Sequence, residues 1–432
     1  MIVSAAFAGK SFAVLGLARS GRATVDALLA SGAQVMAWDE KPEARAALPA
    51  HPNLRIADPL VTALYGYSGI VVSPGVPINR HPIAERSRRA SVPLIGDIEL
   101  FARARADLPP HKVVGITGTN GKSTTTALIH HVVRSAGLPA ALGGNIGLPI
   151  LGQDPLQPND AGPGVYVLEL SSYQIDLTLG LDCDVAVLLN VSPDHLDRYD
   201  GMDDYAASKA RLFAMQSPER PAIIAAEDDY TRAIAGQIEG RRILVSSQDV
   251  KNQSRWPSLQ GPHNAQNVAA AVAAARELGI ADADIAGALE TYPGLPHRME
   301  RVAERAGVLF VNDSKATNPT STAPALAAYP AVHWILGGLR KSDDLDACAP
   351  YLDHVRAAYT IGEAGPLFAN LLSAKGKVVE NSGTLETAVA NAAERAEPGE
   401  VVLLSPACAS FDQFRDYEAR GDAFRALVEA LA

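Results

Sequence analysis

The chain has 432 residues, 47% of them hydrophobic and 20% charged, with a formal net charge of -10 at pH 7. That length exceeds what one hydrophobic core ordinarily supports, so two or three domains are expected, and the composition excludes a disordered or fibrous polypeptide. The acidic balance excludes a broad basic surface that would neutralise nucleic-acid phosphates; no nucleic-acid partner is expected, and any anionic ligand must be held by local sites.

Three cysteines, Cys183, Cys348 and Cys408, lie far apart without metal-ligand spacing. They fit a reducing compartment and read as buried small hydrophobes rather than a disulfide framework. Met1 to Ala8 lacks a basic leading segment and is interrupted by Gly9, Lys10 and Ser11, so a secretion signal is not expected. The longest apolar stretches, such as Val268 to Ala275, fall far short of the roughly 20 residues that span a bilayer. A cytoplasmic protein without membrane contact is expected, with a monomer as the default.

Short β-branched runs alternate with alanine-rich helical segments throughout, which predicts α/β units with parallel sheets. Ser11 to Leu15 reads as a strand, Gly16 to Gly21 as a turn, Arg22 to Ala30 as a helix and Gln34 to Trp38 as a second strand ending at Asp39. Gly16-Leu17-Ala18-Arg19-Ser20-Gly21 looks like a dinucleotide fingerprint with Ala18 at the second glycine, and Asp39 stands where a ribose contact would be. Nicotinamide-dinucleotide binding therefore competes as a reading here, although no hydride-transfer site is evident. Ile70 to Gly75 reads as another strand and its turn, and a helix is expected from Asp97 to Ala106. The first domain boundary is placed near Asp97; Pro109-Pro110 would serve equally as a hinge.

Val113 to Thr117 reads as a strand, followed by Gly118-Thr119-Asn120-Gly121-Lys122-Ser123-Thr124 and a helix running to about Ala136. Glycines let backbone N–H groups turn inward around phosphate oxygens, a helix N-terminus favours negative charge, and a lysine neutralises β- and γ-phosphates. Ser123 or Thr124 would reach Mg²⁺. The spacing departs from the standard phosphate loop, because Ile116 stands where that pattern has its first glycine. The plain alternative is a glycine-rich turn with an exposed lysine.

Gly143-Gly144-Asn145-Ile146-Gly147 reads as a flexible turn. Val165 to Leu170 reads as a strand carrying Glu169 near its C-terminal end, where open α/β sheets place ligands. Asn190 to Asp197, containing Asp194 and His195, follows another apolar strand, and Tyr205 and Lys209 lie on a helix beyond it. Taken alone, Glu169 is as readily a solvated strand end, His195 a structural histidine and Lys209 a surface lysine. His263 to Asn267 opens a helix from Val268, where an asparagine is commonly a cap. Pro293 to Pro296 punctuates the chain before His297-Arg298-Met299-Glu300, and strands resume at Leu309 to Val311, Val332 to Leu336, Ala358 to Ile361 and Val401 to Leu404.

The phosphate loop, Glu169-Leu170-Ser171-Ser172 and Asn190-Val191-Ser192-Pro193-Asp194-His195-Leu196-Asp197 together resemble the motifs of the Mur ligase and folylpolyglutamate synthetase superfamily, in order and across the full chain. The resemblance implies three α/β domains: a Rossmann-like N-terminal domain (1–97) for a UDP substrate, a central P-loop ATPase-like domain (98–298), and a C-terminal Rossmann-like domain (299–432) for an amino acid. It implies an ATP- and Mg²⁺-dependent ligase that activates a carboxylate as an acyl phosphate. Catalytic roles pass to Lys122, Glu169, His195 and Lys209. Metal ligation passes to Ser123, Glu169, His195 and a carbamylated Lys209, since Mg²⁺ prefers hard oxygen ligands. ATP contacts pass to residues 118–124, Asn267, Arg298 and Asp313, with Arg298 meeting ATP on domain closure.

Asn312-Asp313-Ser314-Lys315-Ala316-Thr317-Asn318, Lys341 and Ser405 to Phe414 resemble the branch of the family that adds D-glutamate to UDP-N-acetylmuramoyl-L-alanine. No Asp-Asn-Pro signature of the diaminopimelate- and lysine-adding branches is present. The resemblance assigns Thr317, Lys341, Ser410, Phe411 and Tyr417 to D-glutamate, Tyr417 standing where phenylalanine is usual. It assigns Arg19, Ser20, Asp39, Glu40, Lys41, Gly75, Asn145 and Ser171 to the UDP substrate. A folylpolyglutamate synthetase would share the central loop but not the first domain or the segment at 313–318. A nucleotide-gated binding protein without catalysis would lack the potential metal ligands.

Overall fold

The computed structural model describes residues 1–194 and 197–431. Its strands form three sheets. The first contains β1 (Ser11–Leu15), β2 (Gln34–Trp38), β3 (Leu54–Ile56), β4 (Gly69–Val72) and β5 (Leu94–Ile95) in the order β3-β2-β1-β4-β5, all parallel. The second contains β6 (His111–Thr117), β7 (Ala140–Gly144), β8 (Gly164–Glu169), β9 (Val185–Leu188), β10 (Ala222–Ala225) and β11 (Arg242–Val245), again all parallel, in the order β11-β10-β9-β6-β8-β7.

The third sheet contains β12 (Glu300–Arg305), β13 (Val308–Asn312), β14 (Val332–Gly337), β15 (Val355–Ile361), β16 (Val379–Gly383) and β17 (Val401–Leu404), in the order β12-β13-β17-β14-β15-β16. Only β12 runs antiparallel there, as an edge strand hairpinned to β13. The chain groups into two compact units, Met1–Ser246 with Ala269–Ala288, holding the first two sheets, and Ser247–Val268 with Leu289–Ala432, holding the third. The helix Pro262–Glu277 is divided between the two groups.

Central strands are apolar on both faces because helices cover both. β8, β9, β14 and β17 are buried at every residue, whereas the edge strand β11 alternates exposed and half-buried positions. That contrast is what parallel, doubly covered sheets require. The cysteines are free and buried, as their scattered spacing implies. Among the described residues no helix is long and apolar enough to cross a membrane.

Two local readings need correction. The first helix begins at Arg19 rather than Arg22, so Ser20 and Gly21 lie in its first turn. Gly21 can sit there because a Cβ would stand 1.9 Å from the Gly16 carbonyl oxygen. The asparagines at 264 and 267 do not cap a helix, since that helix already starts at Pro262.

Register fixes where functional loops emerge. Ile116 pairs with Glu169, Gly144 pairs with Glu169, and Thr117 pairs with Leu188. The C-terminal ends of β6, β7, β8 and β9 therefore share one edge of the second sheet. β8 and β9 flank β6 on opposite sides, which makes β6 the strand beside which an open α/β sheet forms its ligand crevice. In the third sheet β13, β17 and β14 are adjacent, and Asn312, Leu404 and Ile335 are in register.

Candidate functional site

The loop after β6 turns on two glycines with positive φ, Gly118 (150°) and Gly121 (82°), and delivers Lys122 to the first position of the helix Lys122–Ser135. A Cβ on Gly118 would lie 3.0 Å from the Leu189 Cβ, so only glycine lets the loop lie this close to the end of β9. Asn190 clamps the loop from that side. Its Oδ1 accepts from the Asn120 N–H at 2.8 Å and its Nδ2 donates to the Asn120 carbonyl at 3.1 Å. The Thr119 N–H donates to the Asn190 carbonyl, and the Thr119 hydroxyl accepts from the Ser192 N–H at 3.0 Å.

Two lysines converge on this loop. Lys122 Nζ donates to the carbonyls of Gly118 and Thr119 at 2.8 and 2.7 Å, and Lys209 Nζ donates to the same Gly118 oxygen at 3.0 Å. Lys209 projects from the helix Met202–Ala214 and is 1% exposed, lying 4.3 Å from the ring centroid of Tyr205 one turn earlier. Burial, and after it the Lys122 ammonium, hold its amine well below the ordinary lysine range against the opposing pull of Asp194 and Asp176. Lys209 is thus no surface lysine.

Glu169 ends β8 and is 2% exposed. Its Oε1 accepts from Asn145 Nδ2 at 3.1 Å, its carbonyl accepts from the Asn145 N–H at 2.9 Å, and its Oε2 is buried with no hydrogen-bond partner among the described residues. The Gly143 to Gly147 segment is thus less loose than its composition implies: Gly143 and Gly144 complete β7, and Gly144, at φ 84°, packs so tightly that a Cβ would come within 2.0 Å of the Glu169 carbonyl oxygen. Ser123 is 5% exposed behind the loop. No group of three or more His, Cys, Asp or Glu side chains is poised for a metal among the described residues, and His195 lies outside them. The buried, partnerless carboxylate oxygen of Glu169 is nevertheless what a cation would satisfy.

In the first sheet, Arg19 donates to the Gly147 carbonyl at 3.3 Å, which brings it beside the Asn145 segment. Asp39 is differently employed. Its Oδ2 accepts from the Leu17 N–H at 2.7 Å and its Oδ1 from the Lys41 N–H at 2.9 Å, so the carboxylate shapes the turn after β1. Glu40, Lys41 and Gly75 are exposed. Ser171 serves as an N-cap: its side chain accepts from the Gln174 N–H in a capping box for the helix Ser172–Asp176.

The candidate residues of the third sheet emerge from β13, β17 and β14. Asp313 is 7% exposed, accepts from the Ser405 hydroxyl at 2.8 Å and the Met299 N–H at 3.2 Å, and burial pushes its carboxyl up to about 7. Lys341 Nζ lies 3.4 Å from the Thr317 hydroxyl, so two predicted amino-acid contacts meet. Ser410 is 2% exposed, while Phe411 is 69% exposed at the loop surface. Tyr417 opens the last helix (Tyr417–Glu429), its ring 3.9 Å from Lys315 Nζ. Asn267 is buried and donates to Asn264 Oδ1 at 3.0 Å, and Arg298 is half-buried between His297 and Met299, both with positive φ.

Sequence reasoning passed over several groups. Asn190 carries a clamp that only the pairing of β6 with β9 could reveal. Asp176 accepts from the hydroxyls of Tyr199 (2.8 Å) and Ser208 (2.7 Å), bracing the helix that bears Lys209. Lys315 and Arg420 likewise look like ordinary basic residues until the loops fold around them. The Phe411 side chain stands in solvent, so only its backbone is placed to make the predicted contact.

Residues 116–258 match the Mur ligase middle domain and residues 297–408 the Mur ligase, glutamate ligase domain. The chain is 65% identical over its full length to 97% of the UDP-N-acetylmuramoylalanine--D-glutamate ligase of Novosphingobium aromaticivorans. It is 60% identical to the protein of the same name from Sphingopyxis alaskensis, with both chains fully covered. Among solved structures its fold is similar to that of the MurF ligase of Thermotoga maritima in complex with ADP, at a TM-score of 0.60 and 15% identity, covering 100% of this chain and 98% of that one. It is also similar to the UDP-N-acetylmuramate-alanine ligase of the same organism, at a TM-score of 0.59 and 17% identity over 98% and 99% of the two chains.

Proposed function

The chain belongs to the Mur ligase family, and from that premise we propose that it is the ATP-dependent ligase that joins D-glutamate to UDP-N-acetylmuramoyl-L-alanine in peptidoglycan precursor synthesis. The observation that carries this reading is full-length identity of 57–65% to three ligases bearing that name. Residues 1–97 are assigned to the UDP substrate, 98–298 to ATP and 299–432 to the amino acid. The protein is taken as a cytoplasmic monomer.

In this reading the backbone amides of residues 118–122 and the Lys122 ammonium receive the β- and γ-phosphates, displacing the carbonyl contacts that Lys122 makes here. The alanyl carboxylate attacks the γ-phosphorus in line, the bond to the β-bridging oxygen breaks, and acyl phosphate and ADP result. The amine of D-glutamate then attacks the acyl carbon, loses a proton, and phosphate leaves. No cysteine or serine nucleophile is needed.

Ser123, Glu169 and Lys209 as its carbamate would hold Mg²⁺, with Glu169 Oε2, unpartnered among the described residues, as the anchoring oxygen; His195, outside those residues, is assigned to the ion by the family resemblance alone. Bound there, it would offset negative charge on the transferring phosphoryl group. The depressed pKa of Lys209 supports the carbamate, because a neutral amine adds to carbon dioxide and releases a proton. Lys341 and Thr317 would take an acceptor carboxylate, since a desolvated carboxylate needs charged and hydroxyl donors. Arg298 and Asp313 are assigned to ATP, as is Asn267.

The test is phosphate release from ATP with Mg²⁺ and UDP-N-acetylmuramoyl-L-alanine, comparing D-glutamate with L-glutamate, L-alanine, meso-diaminopimelate and no amino acid. Release with D-glutamate alone, with the amide product seen by mass spectrometry, is expected. Release with a different acceptor would overturn the specificity, and no release with any would overturn the activity.

A further inference from the structure

Arg420, on the helix Tyr417–Glu429, is fully buried, yet among the described residues no carboxylate pairs with it. Its Nε donates to the Ser314 hydroxyl at 3.0 Å. One terminal nitrogen donates to the carbonyls of Ser314 (2.8 Å) and Cys408 (3.1 Å), and the other to the Ala409 carbonyl at 3.3 Å. Burying a guanidinium without an ion pair is costly, so its retention needs a reason beyond packing. Burial lowers its pKa only to about 10, and the group stays charged at neutral pH.

What the fork holds supplies that reason. Ser314 lies in the loop after β13, three residues before Thr317. Cys408 and Ala409 lie in the loop after β17, directly before Ser410. The Ala409 carbonyl also accepts from the Leu339 N–H at 2.9 Å, and the Ala409 N–H returns the bond to the Leu339 carbonyl, two residues before Lys341 in the loop after β14. The third loop approaches this closely because Gly338, at φ 130°, has no side chain. A Cβ there would lie 2.3 Å from the Ala409 oxygen and 3.2 Å from Arg420.

We infer that Arg420 is the positioning residue of the acceptor-amino-acid site, one buried guanidinium that sets Thr317, Lys341 and Ser410 against one another by holding the backbone of their loops. The Asp412 carboxylate acts on it only through space, without an ion pair, so its positive charge also suits a site that receives an amino acid with two carboxylates. The functional half of this inference rests on the ligase reading above, and the geometric half does not.

Two measurements on the full chain test the halves separately. By hydrogen exchange, Arg420→Lys, which keeps the charge and loses the fork, is expected to expose the amides of 314–318 and 408–411 while those of β17 keep wild-type protection. Wild-type protection in both loops would overturn the inference whatever the enzyme's substrate. By kinetics, the same variant is expected to raise the acceptor KM roughly tenfold or more, as losing one to two charge-assisted hydrogen bonds implies, with the KM for ATP and for the UDP substrate changed less than about twofold. Equal changes in all three, tracking a lowered melting temperature, would reduce Arg420 to a packing residue.

If Arg420→Lys does not fold, Ser314→Ala removes only the Nε acceptor and must show the same split on a smaller scale; a flat result there overturns the inference. Wild-type turnover with an acceptor other than D-glutamate would refute the acceptor assignment alone, and the split would then be read on that acceptor's KM.

Discussion

Replacing Asp313 by asparagine removes a charge the fold holds at a cost. The carboxyl is buried, and its pKa rises from the ordinary 3.8 to about 7, chiefly by desolvation, with the Ser405 hydroxyl, the Met299 amide and Arg298 pulling the other way. Because the folded pKa exceeds the unfolded one, the native state holds a proton between about pH 4 and 7 that the unfolded chain has lost. Stability from this group is therefore greatest below pH 4, falls as pH rises through 7, and is constant above. Three pKa units correspond to about 4 kcal/mol of penalty on the ionised form. Asparagine avoids that penalty but satisfies only one of the two donors now facing the carboxylate, which costs about 1 kcal/mol or somewhat more. The variant should be more stable than wild type by roughly 2–3 kcal/mol at pH 8 and less stable by about 1 kcal/mol at pH 4. Urea unfolding followed by the fluorescence of Trp334, fully buried in β14, reads the unit that contains Asp313. An equal difference at both pH values would refute the reasoning, as would a destabilised variant at pH 8. Phosphate release should fall in the same variant, separating what the charge costs the fold from what it does for ATP.

Gly144→Ala should damage the candidate metal site without touching its side chains. The residue sits at φ 84° with the Glu169 carbonyl oxygen 2.0 Å from a would-be Cβ, so alanine adds about 1–3 kcal/mol of strain and pushes the end of β8 aside. Mg²⁺-dependent phosphate release should drop about fivefold to a hundredfold by the same energy; wild-type release would contradict the placement of Glu169. Asn190→Ala removes both bonds to the Asn120 peptide, and at about 1 kcal/mol each, ADP affinity measured by calorimetry should weaken some tenfold or more. Unchanged affinity would show that the loop holds its shape without the clamp.

Short-range signals carried much of what was legible in this chain. β1, β2 and β17 have the bounds their apolar runs imply, and the central phosphate loop lies between a strand and a helix as its glycines and lysine require. Strand ends were legible too: Glu169 ends β8 and Asp313 follows β13, both at the carboxyl edge where parallel sheets place ligands. The local bonding of polar side chains was harder to read. Asp39 and Ser171 look available for substrate in one dimension, but the nearest unsatisfied partners are backbone amides of their own turns, and both side chains bind those.

Tertiary structure decided the remainder because burial and charge proximity are properties of packing between distant segments. Lys209 becomes a depressed, enclosed amine only when its helix seats it on the Gly118 carbonyl, 91 residues away in sequence. Arg420 finds its partners only because β17 lies between β13 and β14 and brings loops at 314, 339 and 409 around one side chain. By itself the amino-acid sequence determined the α/β class, the phosphate loop and the order of the motifs, all written in periodicities and turns a few residues long. Which lysine is enclosed, which carboxylate oxygen is left without a partner among the described residues and which arginine joins the loops at 314, 339 and 409 were settled by strand order and register, since only those bring groups about 100 residues apart within hydrogen-bonding distance.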